Sequence, residues 1–186
     1  MRLRYSPALR KPRCYLSEEE IKIIIDNAYE FSPFLGPLLR VFAHTGARRK
    51  ELLDLKWSEV NFQTDTLLFR KTKNGRDRII KIPHQIRKMF EELPRVSSHV
   101  FTNRKGLPIS AAQIFDEVRY FKRKYPMNKD WTIKSLRNSY AHNFLKSGKK
   151  MYALQAILGH RDIALTVNLY GQLKAVEVED PSPYKF

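Results

Sequence analysis

The sequence predicts a mainly α-helical domain that carries one small antiparallel β-sheet. Ser17 followed by Glu20 is a capping-box pattern, and it precedes a run of apolar residues suited to a helix. Residues 57–82 look like strands instead, and the Asn74-Gly75 pair within them is a strong tight-turn signal. Helical patterns resume after this stretch. The sheet is therefore predicted as an insertion that follows the third helix.

Cap and stop signals predict the helices that precede the sheet. The first helix covers about 21–30, behind the acidic cap at Ser17. The second covers about 38–44 and stops near Gly46, because glycine commonly ends helices. The third covers about 48–55, where leucines supply the apolar face.

The hairpin pairs residues 66–69 with residues 78–82, and Pro83 ends it. A helix is predicted at 84–93, and residues 99–101 are predicted as a short edge strand. Gly148 and Gly159 stand where helix C-terminal glycines belong. Further helices are predicted at about 110–124, 132–147, 151–158 and 163–170.

The chain has 186 residues, which suits one domain and a core that needs no disulfides. That domain is predicted at 17–172, and residues 1–16 form a basic arm or linker. Residues 173–186 form a tail that is first acidic and then interrupted by prolines. The sequence does not decide between two placements of the tail, which either docks on a neighbouring subunit or covers its own core.

The net charge of the chain indicates what kind of partner it binds. There are 35 lysines and arginines against 19 acidic residues, which gives a net charge of +16. So many positive side chains repel one another in the compact state, so a polyanion is expected to bind. Nucleic acid is the favoured polyanion. An anionic membrane is the rival partner, but no stretch resembles a basic amphipathic anchor and no apolar run approaches the ~20 residues of a transmembrane helix.

A single cysteine, Cys14, excludes an internal disulfide framework and a zinc site with several cysteines. The simplest compartment is a reducing cytosol. We therefore expect a cytoplasmic protein that is associated with the DNA of its cell.

Short segments carry residues suited to phosphate chemistry. Arg48 and Glu51 share a helical face, so the carboxylate can orient the guanidinium. Lys134 and Arg137 have the same spacing, and the planar guanidinium of Arg137 suits two phosphate oxygens. Each pair taken alone is equally explained by a surface ion pair or by a simple affinity contact with phosphate.

The remaining candidates are the hairpin lysine Lys73, and the Leu158-Gly159-His160 turn with Tyr170 ten residues after the histidine. A turn lysine is usually a solvated charge. A lone histidine after a helix is usually a structural hydrogen-bonding group, and a tyrosine is usually a packing residue. Residue type alone therefore selects none of them.

The ordered set of these residues resembles the tyrosine recombinase (phage integrase) family. The matching features are Thr-Gly-x-Arg-x-x-Glu at 45–51, the hairpin lysine, Lys-x-x-Arg at 134–137, Leu-Gly-His at 158–160, and Tyr170. The resemblance covers about residues 16–172. It implies the catalytic-domain fold of that family, without the family's N-terminal DNA-clamping domain.

The resemblance implies DNA strand cleavage and rejoining through a 3′-phosphotyrosyl intermediate on Tyr170. Lys73 would protonate the 5′-oxygen leaving group. His160 and Lys134 would handle protons or bind the scissile phosphate. Arg48 and Arg137 would neutralise the charge that develops on the nonbridging oxygens, a task that metals often perform, so no cofactor and no metal is expected. Glu51 would orient Arg48.

The resemblance also implies the partners. Double-stranded DNA would bind as the substrate, and a homo-tetramer would assemble on two duplexes. A monomer or weak dimer is expected without DNA, and no membrane is expected as a partner. The predicted DNA-binding residues outside the catalytic set are Arg49, Lys71, Arg76 and Arg78.

Two departures from the common family pattern indicate a subfamily. Most members have histidine where Lys134 stands, and a spacing of nine residues is commoner than the ten between His160 and Tyr170. Both features resemble the archaeal, fusellovirus-type integrases. This resemblance implies integration of a viral genome.

Three alternatives compete with the recombinase interpretation. A metal-dependent nuclease needs clustered carboxylates, whereas the acidic residues of this sequence are scattered or lie in a cap and a tail. A noncatalytic DNA-binding module, or a diverged and inactive recombinase, would keep the basic surface and would not need Tyr170.

Overall fold

The computed structural model describes residues 14–70, 77–159 and 181–186. The predicted fold class is confirmed, because the described residues form seven α-helices and one antiparallel three-stranded sheet with strand order β1-β2-β3. The helices are α1 Glu18–Phe31, α2 Leu35–Thr45, α3 Arg49–Leu53, α4 His84–Glu92, α5 Ala111–Lys124, α6 Ile133–Lys146 and α7 Met151–Leu158. The strands are β1 Val60–Asn61, β2 Thr66–Phe69 and β3 Arg78–Lys81. The predicted helix at 163–170 and the Asn74-Gly75 turn lie outside the described residues.

Helix starts follow the cap signals of the sequence. Ser17 caps α1, and Glu20 completes the capping box by accepting a hydrogen bond from the Ser17 backbone N–H. Ser110 and Gln113 make the same reciprocal arrangement at the start of α5. Helix α2 begins at Leu35, earlier than predicted, because Pro37 lies in its first turn, where a backbone N–H has no helical partner to lose.

The sheet forms the predicted hairpin with one added strand. Strands β2 and β3 pair with Leu67 opposite Ile80, and β1 adds to the outer side of β2. The predicted edge strand at 99–101 is wrong: His99 makes only an isolated bridge with Lys56. That segment runs beside the turn after α3, where no strand is available to extend the pairing.

Helix α2 lies at the centre of the core. It is apolar on almost every side and packs against α1, α4 and α6, which buries residues such as Leu38 and Phe42 completely. From α6, Tyr140 and Phe144 complete this contact. No helix in the described part of the chain has both the length and the apolar character needed to cross a bilayer.

The last residues of the chain fold back onto their own core. Tyr184 is 1% exposed, and Leu16, just before α1, is also buried. The Tyr140 hydroxyl donates to the Pro181 carbonyl, and His44 Nδ1 lies 2.7 Å from Ser182 Oγ. The sequence left open whether the tail docks on a neighbouring subunit or covers its own core. Residues 181–186 cover their own core.

Candidate active site

The C-terminus of α7 is the centre of the site. Gly159 ends this helix in the left-handed conformation, with φ at +61°. The last carbonyls of a helix have no partner within it, and they form the negative end of the helix dipole. Three successive carbonyls at this end, those of Ile157, Leu158 and Gly159, each accept a hydrogen bond from a different arginine.

Two of these arginines come from separate helical segments. Arg48, immediately before α3, donates from Nη2 to the Gly159 carbonyl at 3.0 Å. Arg137, in the first turns of α6, donates from Nη2 to the Leu158 carbonyl at 2.9 Å and from Nη1 to the Gly46 carbonyl at 2.5 Å. Because Leu158 and Gly159 are adjacent, the guanidiniums lie side by side. Both side chains are half-buried, so a ligand can reach them from solvent.

The third arginine comes from the sheet and is buried more deeply. Arg78 donates from Nη1 to the Ile157 carbonyl and from Nη2 to Glu51 Oε2 at 2.6 Å. Its guanidinium also lies over the Phe69 ring, 4.5 Å from the ring centroid.

Glu51 joins two of the arginines. Its Oε1 accepts from Arg48 Nη1 at 2.7 Å, and its Oε2 accepts from the Arg48 backbone N–H at 2.7 Å as well as from Arg78. The Glu51 side chain is only 4% exposed. The carboxylate of the Arg48–Glu51 pair is therefore buried, while its guanidinium is 22% exposed, which distinguishes this contact from the weak, fully exposed pairs common on helices.

The electrostatics of this arginine cluster favour an anion. Burial and the neighbouring Arg48 and Arg78 charges lower the pKa of Arg137 to about 9. Burial raises the pKa of Glu51, but Arg78 and Arg48 more than offset this effect, so its pKa lies below the ordinary value. At neutral pH one carboxylate therefore faces three guanidiniums. A bound phosphate would relieve their mutual repulsion.

Two glycines allow this close approach. Gly46 ends α2 with φ at +58°, and a Cβ there would lie 2.5 Å from Tyr140 Cδ1. A Cβ on Gly159 would lie 3.0 Å from Arg78 Cδ. The Thr-Gly and Leu-Gly pairs of the sequence thus provide left-handed turns that only glycine adopts without strain.

The structure brings together Arg48, Glu51, Arg78 and Arg137, four of the residues selected from the sequence. Lys134 is exposed on α6, one turn before Arg137. The Arg49 guanidinium lies over the ring of Phe115, 4.4 Å from its centroid. The other selected residues lie outside the described part of the chain: Lys71, Lys73, Arg76, His160 and Tyr170.

The family of the chain follows from comparison with known proteins. Residues 15–176 match the Phage integrase family. The chain belongs to the phage integrase family. Among its relatives, tyrosine recombinase XerA of Pyrococcus horikoshii is 30% identical over 159 residues, which cover 81% of this chain and 54% of the relative. Tyrosine recombinase XerC of Xanthomonas axonopodis pv. citri is 31% identical over 134 residues, covering 69% of this chain and 44% of the relative.

Solved structures of the family share the fold. A crystal structure of XerA recombinase superposes with a TM-score of 0.69 at 26% identity, covering 83% of this chain and 58% of that one. The catalytic domain of bacteriophage HP1 integrase superposes with a TM-score of 0.63 at 24% identity, covering 84% of this chain and 86% of that one. This integrase-family chain spans about half the length of the full-length relatives above, 54% and 44%.

One sequence-based expectation is corrected. Arg78 is predicted from the sequence as a DNA-binding residue, but its side chain is 7% exposed and faces the interior. The alternation of inward-facing and outward-facing residues along a strand indicates that Arg78 is buried. In β3, Arg78 shares its face with Ile80, which is completely buried, whereas Ile79 points outward and is 45% exposed. A guanidinium in this position offers little surface to DNA.

Replacing Glu51 with glutamine is expected to reduce the loss of stability in acid. Because the pKa of folded Glu51 lies below its ordinary value of 4.5, its charge stabilises the fold above that value, and this stabilisation disappears as the pH falls through the lowered pKa. Urea unfolding at about pH 7 and about pH 3 measures the effect. The native chain should lose more unfolding free energy between these conditions than Glu51→Gln. Equal losses would show that the buried ion pair does not form.

Proposed function

We propose that this chain is the catalytic domain of a site-specific DNA recombinase that cuts and rejoins DNA through Tyr170. The observation that carries the proposal is the side-by-side placement of Arg48 and Arg137 on adjacent carbonyls. Guanidiniums bind phosphate oxygens through parallel N–H donors, and two of them in one partly exposed site suit a single phosphodiester group.

The proposed reaction exchanges one phosphoester bond for another. The Tyr170 oxygen attacks phosphorus, its bond to phosphorus forms, and the bond to the 5′-oxygen breaks. Lys73 gives a proton to the departing 5′-oxygen, the proton of Tyr170 passes to the His160 imidazole, and the Lys134 ammonium binds the scissile phosphate. Rejoining is the reverse process with a new 5′-hydroxyl, so the bond energy is kept and no nucleotide is consumed.

Arg48 and Arg137 stabilise the transition state of this reaction. Attack on phosphorus adds negative charge to the nonbridging oxygens, and preorganised donors stabilise that charge without rearranging. Their N–H groups are held in place beforehand by Glu51 and by the carbonyls at the end of α7. The arginines thus perform the role that a divalent cation has in many phosphoryl-transfer enzymes.

The proposed substrate is double-stranded DNA. The net charge of +16 supports this assignment, and binding should weaken steeply with salt as counterions are released. Among the structural neighbours, a lambda integrase dimer is bound to a COC' core site, and XerH is bound to its difH substrate in a pre-cleavage complex. For this chain we propose a tetramer on two duplexes and a monomer or weak dimer without DNA. Arg49, Lys71 and Arg76 remain the proposed DNA contacts outside the catalytic set.

A finer proposal concerns the biological setting. Lys134 stands where most family members have histidine, and Tyr170 follows His160 by ten residues. These features support an archaeal, fusellovirus-type integrase that inserts a viral genome in the cytoplasm of its host.

Relaxation of a supercoiled plasmid tests the proposed chemistry. Excess protein is incubated with plasmid in EDTA at low salt, and the reactions are stopped with SDS. The native chain should relax the plasmid and leave protein-linked nicks, and Tyr170→Phe should do neither. Plasmid binding by both proteins with relaxation by neither would favour a noncatalytic DNA-binding module or an inactive recombinase. Equal relaxation by both would exclude Tyr170 as the nucleophile.

A further inference from the structure

We infer that Arg78 is a positioning residue of the cleavage reaction, and that it holds Arg48 in place through Glu51. The inference rests on the proposed function, since it concerns the phosphate-binding role of Arg48. It assigns Arg78 a role different from the DNA contact that a basic hairpin suggests.

The contacts of Arg78 link three segments that are distant in the chain. Through Nη2 it binds Glu51 Oε2 in α3, and through Nη1 it binds the Ile157 carbonyl at the end of α7. The ring of Phe69 on the neighbouring strand supports the guanidinium from one face. Arg78 therefore connects the sheet to both elements that hold Arg48.

Glu51 depends on this connection for its orientation. Its Oε1 must face Arg48 Nη1, and its Oε2 must face the Arg48 backbone N–H. Arg78 donates to the same Oε2 at 2.6 Å from the side of the sheet. This third bond fixes the rotation of the carboxylate, so that the Arg48 guanidinium keeps its place beside Arg137.

The planar guanidinium is needed for this task. Its two terminal nitrogens reach a carboxylate and a helix carbonyl at the same time, whereas a lysine ammonium is a point charge on a flexible chain. Lysine would preserve the local charge, but it would not fix both partners. Arg78→Lys therefore separates the geometry of this residue from its charge.

Single-turnover relaxation of supercoiled plasmid in EDTA gives the kinetic test. At saturating protein, Arg78→Met should relax the plasmid about 10–100-fold more slowly, since a displacement near 1 Å can cost a factor of about 10². Arg78→Lys should recover only part of this loss. The control is Arg70→Met. Arg70 lies in the same hairpin, its side chain is 60% exposed, and it pairs with Glu59. The control should relax the plasmid at the native rate.

Binding of a labelled duplex fragment of the same plasmid separates positioning from DNA contact. A positioning role predicts a dissociation constant within about threefold of the native value and an unchanged salt slope for Arg78→Met. If the variant binds more weakly, with a salt slope reduced by about one, and relaxes normally at saturation, Arg78 is a DNA contact and the inference is overturned.

A double substitution tests whether Arg78 acts through Glu51. If it does, Glu51→Gln combined with Arg78→Met should relax the plasmid no more slowly than Glu51→Gln alone, because the second change removes a link that is already broken. If the reduction in relaxation rate of the double variant equals the product of the two single reductions, the two residues act independently, which contradicts the inference.

Hydrogen exchange in the protein without DNA gives a readout that needs no cleavage. The Arg48 backbone N–H is bonded to Glu51 Oε2, so loosening of the carboxylate exposes this amide. Arg78→Met should speed its exchange by about tenfold or more, and should leave α1 amides unchanged. Unchanged exchange at Arg48 overturns the inference even if relaxation is slow. If the native chain does not relax DNA, the proposed function fails, while this measurement still decides whether Arg78 holds Arg48.

Discussion

Replacing Arg137 with methionine should slow DNA relaxation by about 10²–10³-fold at saturating protein, the usual loss when one preorganised oxyanion donor is removed. Its guanidinium lies between the carbonyls of Gly46 and Leu158, beside Arg48. Methionine has a similar length, but it offers no N–H group to a phosphate oxygen. Single-turnover relaxation of supercoiled plasmid in EDTA measures the loss.

The matched control for this substitution is Lys146→Met. Lys146 is exposed at the far end of α6, so the control removes one positive charge from the same helix at a distance from the arginine cluster. It should relax plasmid at the native rate. Duplex binding should change by less than about tenfold in both variants, because one phosphate contact contributes only a small part of the affinity. A native relaxation rate for Arg137→Met would show that Arg137 does not bind the scissile phosphate.

Replacing Tyr184 with alanine should destabilise the domain by about 3–5 kcal/mol, as for other large aromatic side chains removed from cores. The ring is fully buried and packs edge-on against His44, with the ring centroids 5.5 Å apart. Its hydroxyl accepts a hydrogen bond from Asn143, and its carbonyl accepts one from Gln85. For a domain of this size the melting temperature should fall by roughly 6–20 °C.

The control for this prediction is Tyr120→Ala, which truncates a tyrosine that is 51% exposed on α5. It should change the unfolding free energy by about 0.5 kcal/mol or less. Deleting residues 181–186 should reproduce the loss caused by Tyr184→Ala. If the deletion leaves the melting temperature unchanged, the end of the chain does not pack on its own core in solution.

Local signals were sufficient to predict much of the fold. The capping box at Ser17 acts over a few residues, so the sequence displays it directly. The same holds for the left-handed glycines Gly46 and Gly159, which end α2 and α7. The pairing of Arg48 with Glu51 also followed from helical spacing, although the sequence did not show that the Glu51 carboxylate is buried.

Contacts between distant segments were not predictable in the same way. Nothing near Arg78 in the sequence indicates that its partners are Glu51 and the last turn of α7. The strand period did indicate a buried face, but the surrounding lysines and arginines favoured an exposed one. Tyr184 was missed for a related reason, because its packing partners come from α2 and α6 and its own segment has no periodic pattern.

Mapping the covalent bond between protein and DNA tests the central claim most directly. The native chain is incubated with supercoiled plasmid in EDTA, trapped with SDS, trimmed with nuclease, and digested with trypsin for mass spectrometry. The tryptic peptide 162–174 contains Tyr170 as its only tyrosine. We predict that this peptide carries the nucleotide through a phosphodiester on Tyr170. A nucleotide on any other residue, or protein-linked nicks that persist in Tyr170→Phe, would contradict the account.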